Sequence, residues 1–201
     1  MKAVTRVVGR VLPLDRANVD TDQIIPAHWL KRTLRTGYGA GLFEAWRADP
    51  AFVMNDPRYA GATILVAGAN FGSGSSREHA AWALAEAGFA AVVAPSLADI
   101  FRGNAVTNGI VPVTLDDAAV RALIVGARAL PRFEVTIDVA SGTLDAPAIG
   151  LRERFALDPR ERRALVEGLD EIAHTLEFER AIASYESTRA AWLPSVTRRA
   201  T

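Results

Sequence analysis

Three polar side chains stand side by side after a glycine-rich stretch: Ser75, Ser76 and Arg77. The glycines before them allow a sharp turn and the close approach of a ligand to the main chain; they are Gly68, Gly72 and Gly74. Two hydroxyls and a guanidinium can bind a carboxylate or a phosphate. The start of a helix adds unpaired N–H groups and the positive end of the helix dipole. Since the residues from Arg77 onward favour a helix, the pattern predicts an anion-binding site.

The same residues argue against the common nucleotide-binding and nucleophile motifs. A Walker A loop needs a lysine before its final Ser or Thr, and a dinucleotide fingerprint needs a third glycine where Arg77 stands. The next strand ends in Pro95 and Ser96 instead of the acid that binds a ribose. No serine lies between two glycines with the spacing of a nucleophile elbow. A capping box with Ser75 as N-cap and Glu78 three residues later is the structural alternative, and it can coexist with anion binding.

Strands and helices alternate around this stretch. Residues 63–67 are an apolar, partly β-branched run typical of a buried strand, and residues 77–87 are rich in Ala, Leu and Glu. Further strands are predicted at 4–14, 90–94 and 110–115, and an antiparallel pair at 133–139 and 148–155 around the turn at Ser141 and Gly142. Further helices are predicted at 23–30, 42–47, 97–105, 116–129, 161–167 and 176–188.

Composition narrows the class of protein. The 201 residues favour one domain, and 23 basic residues balance 23 acidic ones, so no net charge attracts nucleic acid. No apolar run is long enough to span a membrane, and the N-terminus lacks the apolar core of a signal peptide, so we expect a cytoplasmic protein. The absence of cysteine excludes thiolate metal sites and disulfides. Three histidines in unrelated contexts predict no metal site.

Two other stretches carry residues suited to a binding site. Residues 18–22 contain the alternating acids of a calcium loop, but Gln23 and Trp29 stand where an EF-hand needs glycine and glutamate. Turn formation before a helix is therefore as good an interpretation of Asp22 as a functional role. Residues 31–41 combine basic side chains with three glycines. That composition favours a solvated surface loop.

Residues 70–80, NFGSGSSREHA, resemble the signature of the swivelling domain of the aconitase superfamily. Residues 18–26, 98–104 and 168–172, with Thr175 and Leu176, extend the resemblance along nearly the whole chain. Within the superfamily, the chain resembles the bacterial 3-isopropylmalate dehydratase small subunits. Two positions depart from the family: Ser73 stands where many members carry cysteine, and residues 172–176 read IAHTL where IGLTL is usual.

The resemblance implies an α/β fold, the swivelling β/β/α three-layer domain, which would span residues 1–201 with a C-terminal helical extension. It also implies a hydro-lyase of leucine biosynthesis that interconverts 2- and 3-isopropylmalate through an alkene. Ser75 would be the catalytic base, acting as an alkoxide, while Ser76 and Arg77 would bind a substrate carboxylate. Asp22 would orient an arginine or serine. Residues 31–41 would form a mobile recognition loop with glycine hinges, in which Arg35 is a second candidate carboxylate ligand.

Energetics predict that such a chain cannot act alone. Deprotonating a serine about six pKa units above neutrality costs about 8 kcal/mol. A helix terminus returns up to about 2 kcal/mol and an oxyanion-type donor about 3 to 4 kcal/mol, the latter only in a dry site. No Lewis acid is available for the departing hydroxyl. The resemblance implies that a large subunit solves both problems, the need for a dry site and the missing Lewis acid. That subunit would carry a [4Fe-4S] cluster on its own cysteines, and this chain would bind no cofactor.

Two alternatives remain open on sequence alone. The chain could be the small subunit of a related hydro-lyase that acts on methylmalate, homoaconitate or a similar dicarboxylic hydroxy acid. It could also be an anion-binding module without catalysis.

Overall fold

A long first strand is shared by the two halves of one sheet in the computed structural model, which describes residues 1–34, 36–190 and 192–193. The strands found in these residues are β1 (Arg6–Leu14), β2 (Ile64–Ala67), β3 (Ala91–Ala94), β4 (Val111–Thr114), β5 (Glu134–Asp138), β6 (Thr143–Ala146) and β7 (Leu151–Arg154). Their order in the sheet is β4-β3-β2-β1-β5-β6-β7.

The two halves differ in strand direction. The second part of β1 pairs in parallel with β2, from Val11 opposite Ile64 to Leu14 opposite Ala67, and β3 and β4 continue the parallel half. The first part of β1 pairs antiparallel with β5, and β6 and β7 complete the antiparallel half. The carboxyl ends of β1, β2 and β3 therefore lie at one edge, where the following loops can meet.

Helices pack on both faces of the parallel half of the sheet. Those in the described residues are α1 (Thr21–Ile24), α2 (Glu44–Arg47), α3 (Glu78–Glu86), α4 (Asp99–Thr107), α5 (Asp117–Ala129), α6 (Pro159–Glu167), α7 (Glu171–Leu176) and α8 (Glu179–Ser187). Short 3₁₀ turns lie at Ala27–Lys31, Tyr38–Gly41, Val53–Asn55, Pro57–Tyr59 and Pro147–Ile149.

Two hydrophobic clusters divide the core, because successive side chains of a strand point to opposite faces. On one face of the parallel half, Val66 packs in a cluster with residues of α5 and of the antiparallel strands, among them Ile137. On the other face, Leu65 belongs to a cluster with Leu84 of α3 and Phe101 of α4. The antiparallel strands with α5, then the parallel strands, then α3 and α4 thus form successive layers. The α/β three-layer fold class is confirmed, whereas a single domain over residues 1–201 stays a prediction.

Some predicted elements were wrong. The turn at Ser141 and Gly142 leads from β5 into β6, a strand that the sequence prediction missed. The reason is that β6 has only four residues, TLDA, with no β-branched apolar side chain to signal it. The predicted helix at 23–30 ends as α1 at Ile24, two residues before Pro26, and a 3₁₀ turn follows. The helix predicted at 176–188 is divided between the end of α7 and α8.

Candidate functional site

Three loops meet beyond the carboxyl ends of the parallel strands: the β1 loop (15–20), the glycine loop (68–77) and the β3 loop (95–98). The N–H of Gly72 donates to the carbonyl of Val19 over 2.7 Å. The N–H of Phe71 donates to the carbonyl of Ser96 over 3.1 Å, and the N–H of Asn70 to the hydroxyl of the same serine over 2.8 Å. These bonds fix the glycine loop between its two neighbours.

The glycine loop ends just before α3, with Ser75 and Ser76 outside the helix. Arg77 is the N-cap residue and makes no side-chain capping hydrogen bond. The structural alternative, a capping box of Ser75 and Glu78, is therefore wrong, because the helix begins too late for Ser75 to cap it. Both serine side chains belong to exposed residues. Their hydroxyls are available to a ligand.

A buried threonine, Thr21, is hydrogen-bonded to Ser75. The hydroxyl of Thr21 donates to the carbonyl oxygen of Ser75 over 3.0 Å, and its oxygen lies 3.5 Å from Ser75 Oγ. The N–H of Thr21 donates to the carbonyl of Ser73 over 2.9 Å. Thr21 is 3% exposed and follows Asp20, the N-cap residue of α1. No sequence pattern pointed to Thr21, although it lies within residues 18–22, a stretch suited to a binding role.

Arg77, at the end of the glycine loop, forms an ion pair with Asp22 of α1. Nη1 of the guanidinium donates to Oδ1 of the carboxylate. The Arg77 side chain is 15% exposed and that of Asp22 is 57% exposed. Asp22 lies in α1, whose start is fixed by reciprocal hydrogen bonds between Asp20 and Gln23 of 2.8 and 2.9 Å. Among the described residues the other N–H groups of Arg77 have no acceptor, so they can bind an anion.

Comparison with known proteins identifies the family. The aconitase C-terminal domain family matches residues 1–118. A protein of Frankia alni named 3-isopropylmalate dehydratase small subunit is 53% identical over 195 residues, which cover 97% of this chain and 99% of the relative. The protein of the same name from Streptomyces coelicolor is 50% identical over 198 residues, which cover 98% of this chain and 100% of the relative. The chain belongs to the 3-isopropylmalate dehydratase small-subunit family.

A solved structure agrees with this family. The crystal structure of 3-isopropylmalate dehydratase from Methanocaldococcus jannaschii superposes with a TM-score of 0.64 at 26% sequence identity. The match covers 90% of this chain and 99% of that one. The resemblance recognised in the sequence is thereby confirmed for both family and fold.

Residues 98–104, one of the stretches that resemble the family, pack against the glycine loop at the start of α4. The ring of Phe101 lies directly against Gly72, at a point where an added Cβ would come within 2.3 Å of it. The next residue, Arg102, ties α4 to α6 through two hydrogen bonds to Glu161 of 2.8 and 2.7 Å. These bonds raise the pKa of Arg102 above its ordinary value. This motif positions the glycine loop.

Gly72→Ala tests that support. We expect the free energy of unfolding to fall by about 2 to 4 kcal/mol, because alanine adds left-handed strain of about 1 to 2 kcal/mol and overpacking against Phe101 of at least about 1 kcal/mol. Gly88→Ala is the matched control, since Gly88 also has a positive φ, +95° against +79°, but no atom lies within 4 Å of its added Cβ. Urea denaturation measures both variants. Equal losses in the two would contradict the role of Phe101.

The recognition loop predicted at 31–41 is anchored over its second part. The N–H groups of Gly37 and Gly39 donate to the Glu86 carboxylate over 3.1 and 2.9 Å, and the buried Tyr38 ring packs against the rings of His79 and Trp82. An added Cβ on Gly39 would lie 3.1 Å from the backbone of Glu86. Gly39 therefore lies in close contact with α3, and the role of the loop glycines as hinges stays a prediction.

Arg35 lies outside the described residues, so its proposed contact with substrate stays a prediction. Its neighbour Leu34 is 65% exposed. An exposed apolar side chain in this position is available to contact an apolar group of a ligand.

The described part of the chain contains no group of three or more His, Asp or Glu side chains placed to hold a metal ion. Its histidines lie apart: His28 contacts Glu44, His79 packs against Tyr38 and Trp82, and His174 contacts Glu177. None of the helices in this part is both long and apolar enough to cross a membrane.

Proposed function

We propose that this chain is the small subunit of a 3-isopropylmalate dehydratase, which interconverts 2- and 3-isopropylmalate by dehydration and rehydration. One observation carries the proposal: an exposed serine, Ser75, lies beside the Arg77–Asp22 ion pair on loops fixed at the carboxyl edge of the sheet. Relatives about 50% identical over nearly their whole length bear the name of that subunit.

Each residue has a distinct task in this reaction. Arg77 and the hydroxyl of Ser76 bind a substrate carboxylate, and Asp22 holds the guanidinium in place. Ser75, as the alkoxide, takes the proton from the carbon next to that carboxylate, so that the C–H electron pair forms the alkene as the hydroxyl departs from the neighbouring carbon. Return of the proton and of the hydroxyl to the exchanged carbons, together one water, gives the isomer.

The exposure of Ser75 explains why a partner is required. Its ionisation needs about 8 kcal/mol, and the donors around it supply this only where water is excluded. We propose that a large subunit covers the site. The described residues of this chain do not fit an iron–sulfur cluster, because they offer no cysteine and no grouped ligands. The proposal therefore assigns a [4Fe-4S] cluster to the partner, where it would supply the Lewis acid. A cytoplasmic location stays part of the proposal.

Reconstitution tests the proposal. The purified chain should contain no iron and should not turn over isopropylmalate, because it lacks both the cluster and the water-excluding wall. Addition of a cluster-bearing large subunit should restore turnover, measured by the absorbance of the alkene intermediate. Turnover by the chain alone, or none after addition of an active large subunit, would contradict the two-subunit function.

The alternative that this chain belongs to a related hydro-lyase with another substrate is tested by substitution of Leu34. If Leu34 contacts the isopropyl group, Leu34→Ala should lower kcat/KM for isopropylmalate relative to a methyl-substituted malate by about tenfold or more, since one or two apolar carbons are worth about 1 to 3 kcal/mol. Leu176→Ala on α7 is the matched control, because this leucine is similarly exposed, at 59%. An unchanged ratio in the complex with Leu34→Ala would remove this residue from substrate selection.

A further inference from the structure

The hydroxyl of Thr21 is close to two oxygen atoms of Ser75, the carbonyl oxygen and Oγ. The residue is buried, with 3% of its surface exposed. Its Oγ1 lies 3.0 Å from the carbonyl oxygen of Ser75 and 3.5 Å from Ser75 Oγ. A threonine hydroxyl has a single proton and can rotate to direct it.

The shorter contact decides where this proton lies while Ser75 is neutral. Because the Ser75 carbonyl can only accept, Thr21 must be the donor in that bond. In the longer contact Thr21 can then only accept, from the Ser75 hydroxyl. When Ser75 loses its proton to solvent, this second contact becomes two facing acceptors, and rotation of the Thr21 hydroxyl restores a donor toward the alkoxide.

We propose that Thr21 is a positioning residue whose hydroxyl donates a hydrogen bond to the Ser75 alkoxide, whereas in the neutral state it donates a hydrogen bond to the Ser75 carbonyl. This inference rests on the proposed function. It assigns a task to a residue that touches neither substrate nor cofactor. The backbone bond from Thr21 to Ser73 and the capped start of α1 hold its side chain at this point.

The test compares Thr21→Val with Thr21→Ser in the complete two-subunit enzyme. Valine keeps the shape but removes the donor, so kcat should fall about 10- to 100-fold, with KM within about threefold of wild type. The acidic limb of the kcat–pH profile should move to higher pH by about one to two units, because loss of a donor to the alkoxide raises the pKa of the base. Thr21→Ser should retain both the rate and the profile, since its hydroxyl is preserved.

A merely structural role would lower activity without moving the pH profile, and that result would overturn the inference. So would a Thr21→Val enzyme with wild-type kcat. In a Ser75→Ala background, Thr21→Val should cause no further loss, because both changes remove the same interaction. If Thr21→Val does not fold, Thr21→Cys replaces it: a thiol is a weaker donor, so an unshifted profile there would count equally against the inference.

The same experiment separates this inference from the proposed function. If the wild-type complex is inactive on isopropylmalate, or if Ser75→Ala is fully active, the proposed function or its base is wrong and the role of Thr21 is overturned with it. If the wild-type complex is active and Ser75→Ala is not, an unchanged profile in Thr21→Val overturns the role of Thr21 alone.

Discussion

Ser75→Ala should lower kcat of the assembled enzyme by about three to four orders of magnitude, the upper range for loss of a general base. Ser75 Oγ is the group that would take the proton next to the substrate carboxylate, and alanine leaves no group to replace it. The free energy of unfolding should stay within about 0.5 kcal/mol of wild type, as for a surface substitution. This expectation follows from the structure, in which Ser75 lies outside α3 and does not cap it.

Ser73→Ala is the matched control for Ser75→Ala. It removes a hydroxyl from the same loop, and the serine it replaces has only backbone hydrogen bonds among the described contacts. Steady-state kinetics of both complexes, together with urea denaturation of both chains, measure the two effects separately. Activity of Ser75→Ala close to that of Ser73→Ala would remove Ser75 from the chemistry.

Arg77→Lys should lower kcat/KM by about 100-fold or more, because breaking the hydrogen bonds of a charge pair in a water-excluded site costs about 2 to 5 kcal/mol. Lysine keeps the positive charge but lacks the planar fork that can hold Asp22 and a substrate carboxylate at the same time. The loss should be seen with every substrate carrying that carboxylate. Asp22→Asn should cause a smaller loss, since it frees the guanidinium without removing it.

Arg128→Gln controls for the loss of an arginine–aspartate pair as such. Arg128 pairs with Asp15 over 3.0 Å, and both side chains are about half exposed, at 53% and 54%. An exposed pair of this kind contributes about 0 to 1 kcal/mol. Its loss should leave kcat/KM unchanged. If Arg77→Lys behaves like Arg128→Gln, Arg77 does not bind substrate.

Sequence reasoning predicted those parts of the fold whose signal is local. The strands at 63–67 and 90–94 are continuous apolar runs, and α5 begins at the predicted acid, with Asp116 accepting a bond from the N–H of Ala119. The missed strand β6 is short and takes its conformation from pairing with β5 and β7. Such pairing depends on tertiary neighbours that a window of residues does not contain.

The sequence predicted which residue types form the candidate site but not which residues contact one another in it. The spacing of Ser75 and Glu78 satisfies the capping-box pattern, yet Ser75 is held instead by Thr21, which lies 54 positions away. Local spacing cannot indicate a partner at that separation. Asp22 was selected through the family resemblance, and the ion pair with Arg77 gives it a physical contact. The only sequence signal at Thr21 is its position between two acids, Asp20 and Asp22.

The pairing of β1 with β2 has a consequence for the entropy of the site. Thr21 and Ser75 are separated by 54 positions, and closing a chain of that length costs about 3 to 4 kcal/mol from its length-dependent term. Leu14 and Ala67 are partners in the sheet, so their pairing by itself closes nearly the whole connection. The loops therefore come together as a short local closure. Substitutions in the site should leave the topology-limited step of folding unchanged, which makes this edge of the sheet tolerant of changes in chemistry.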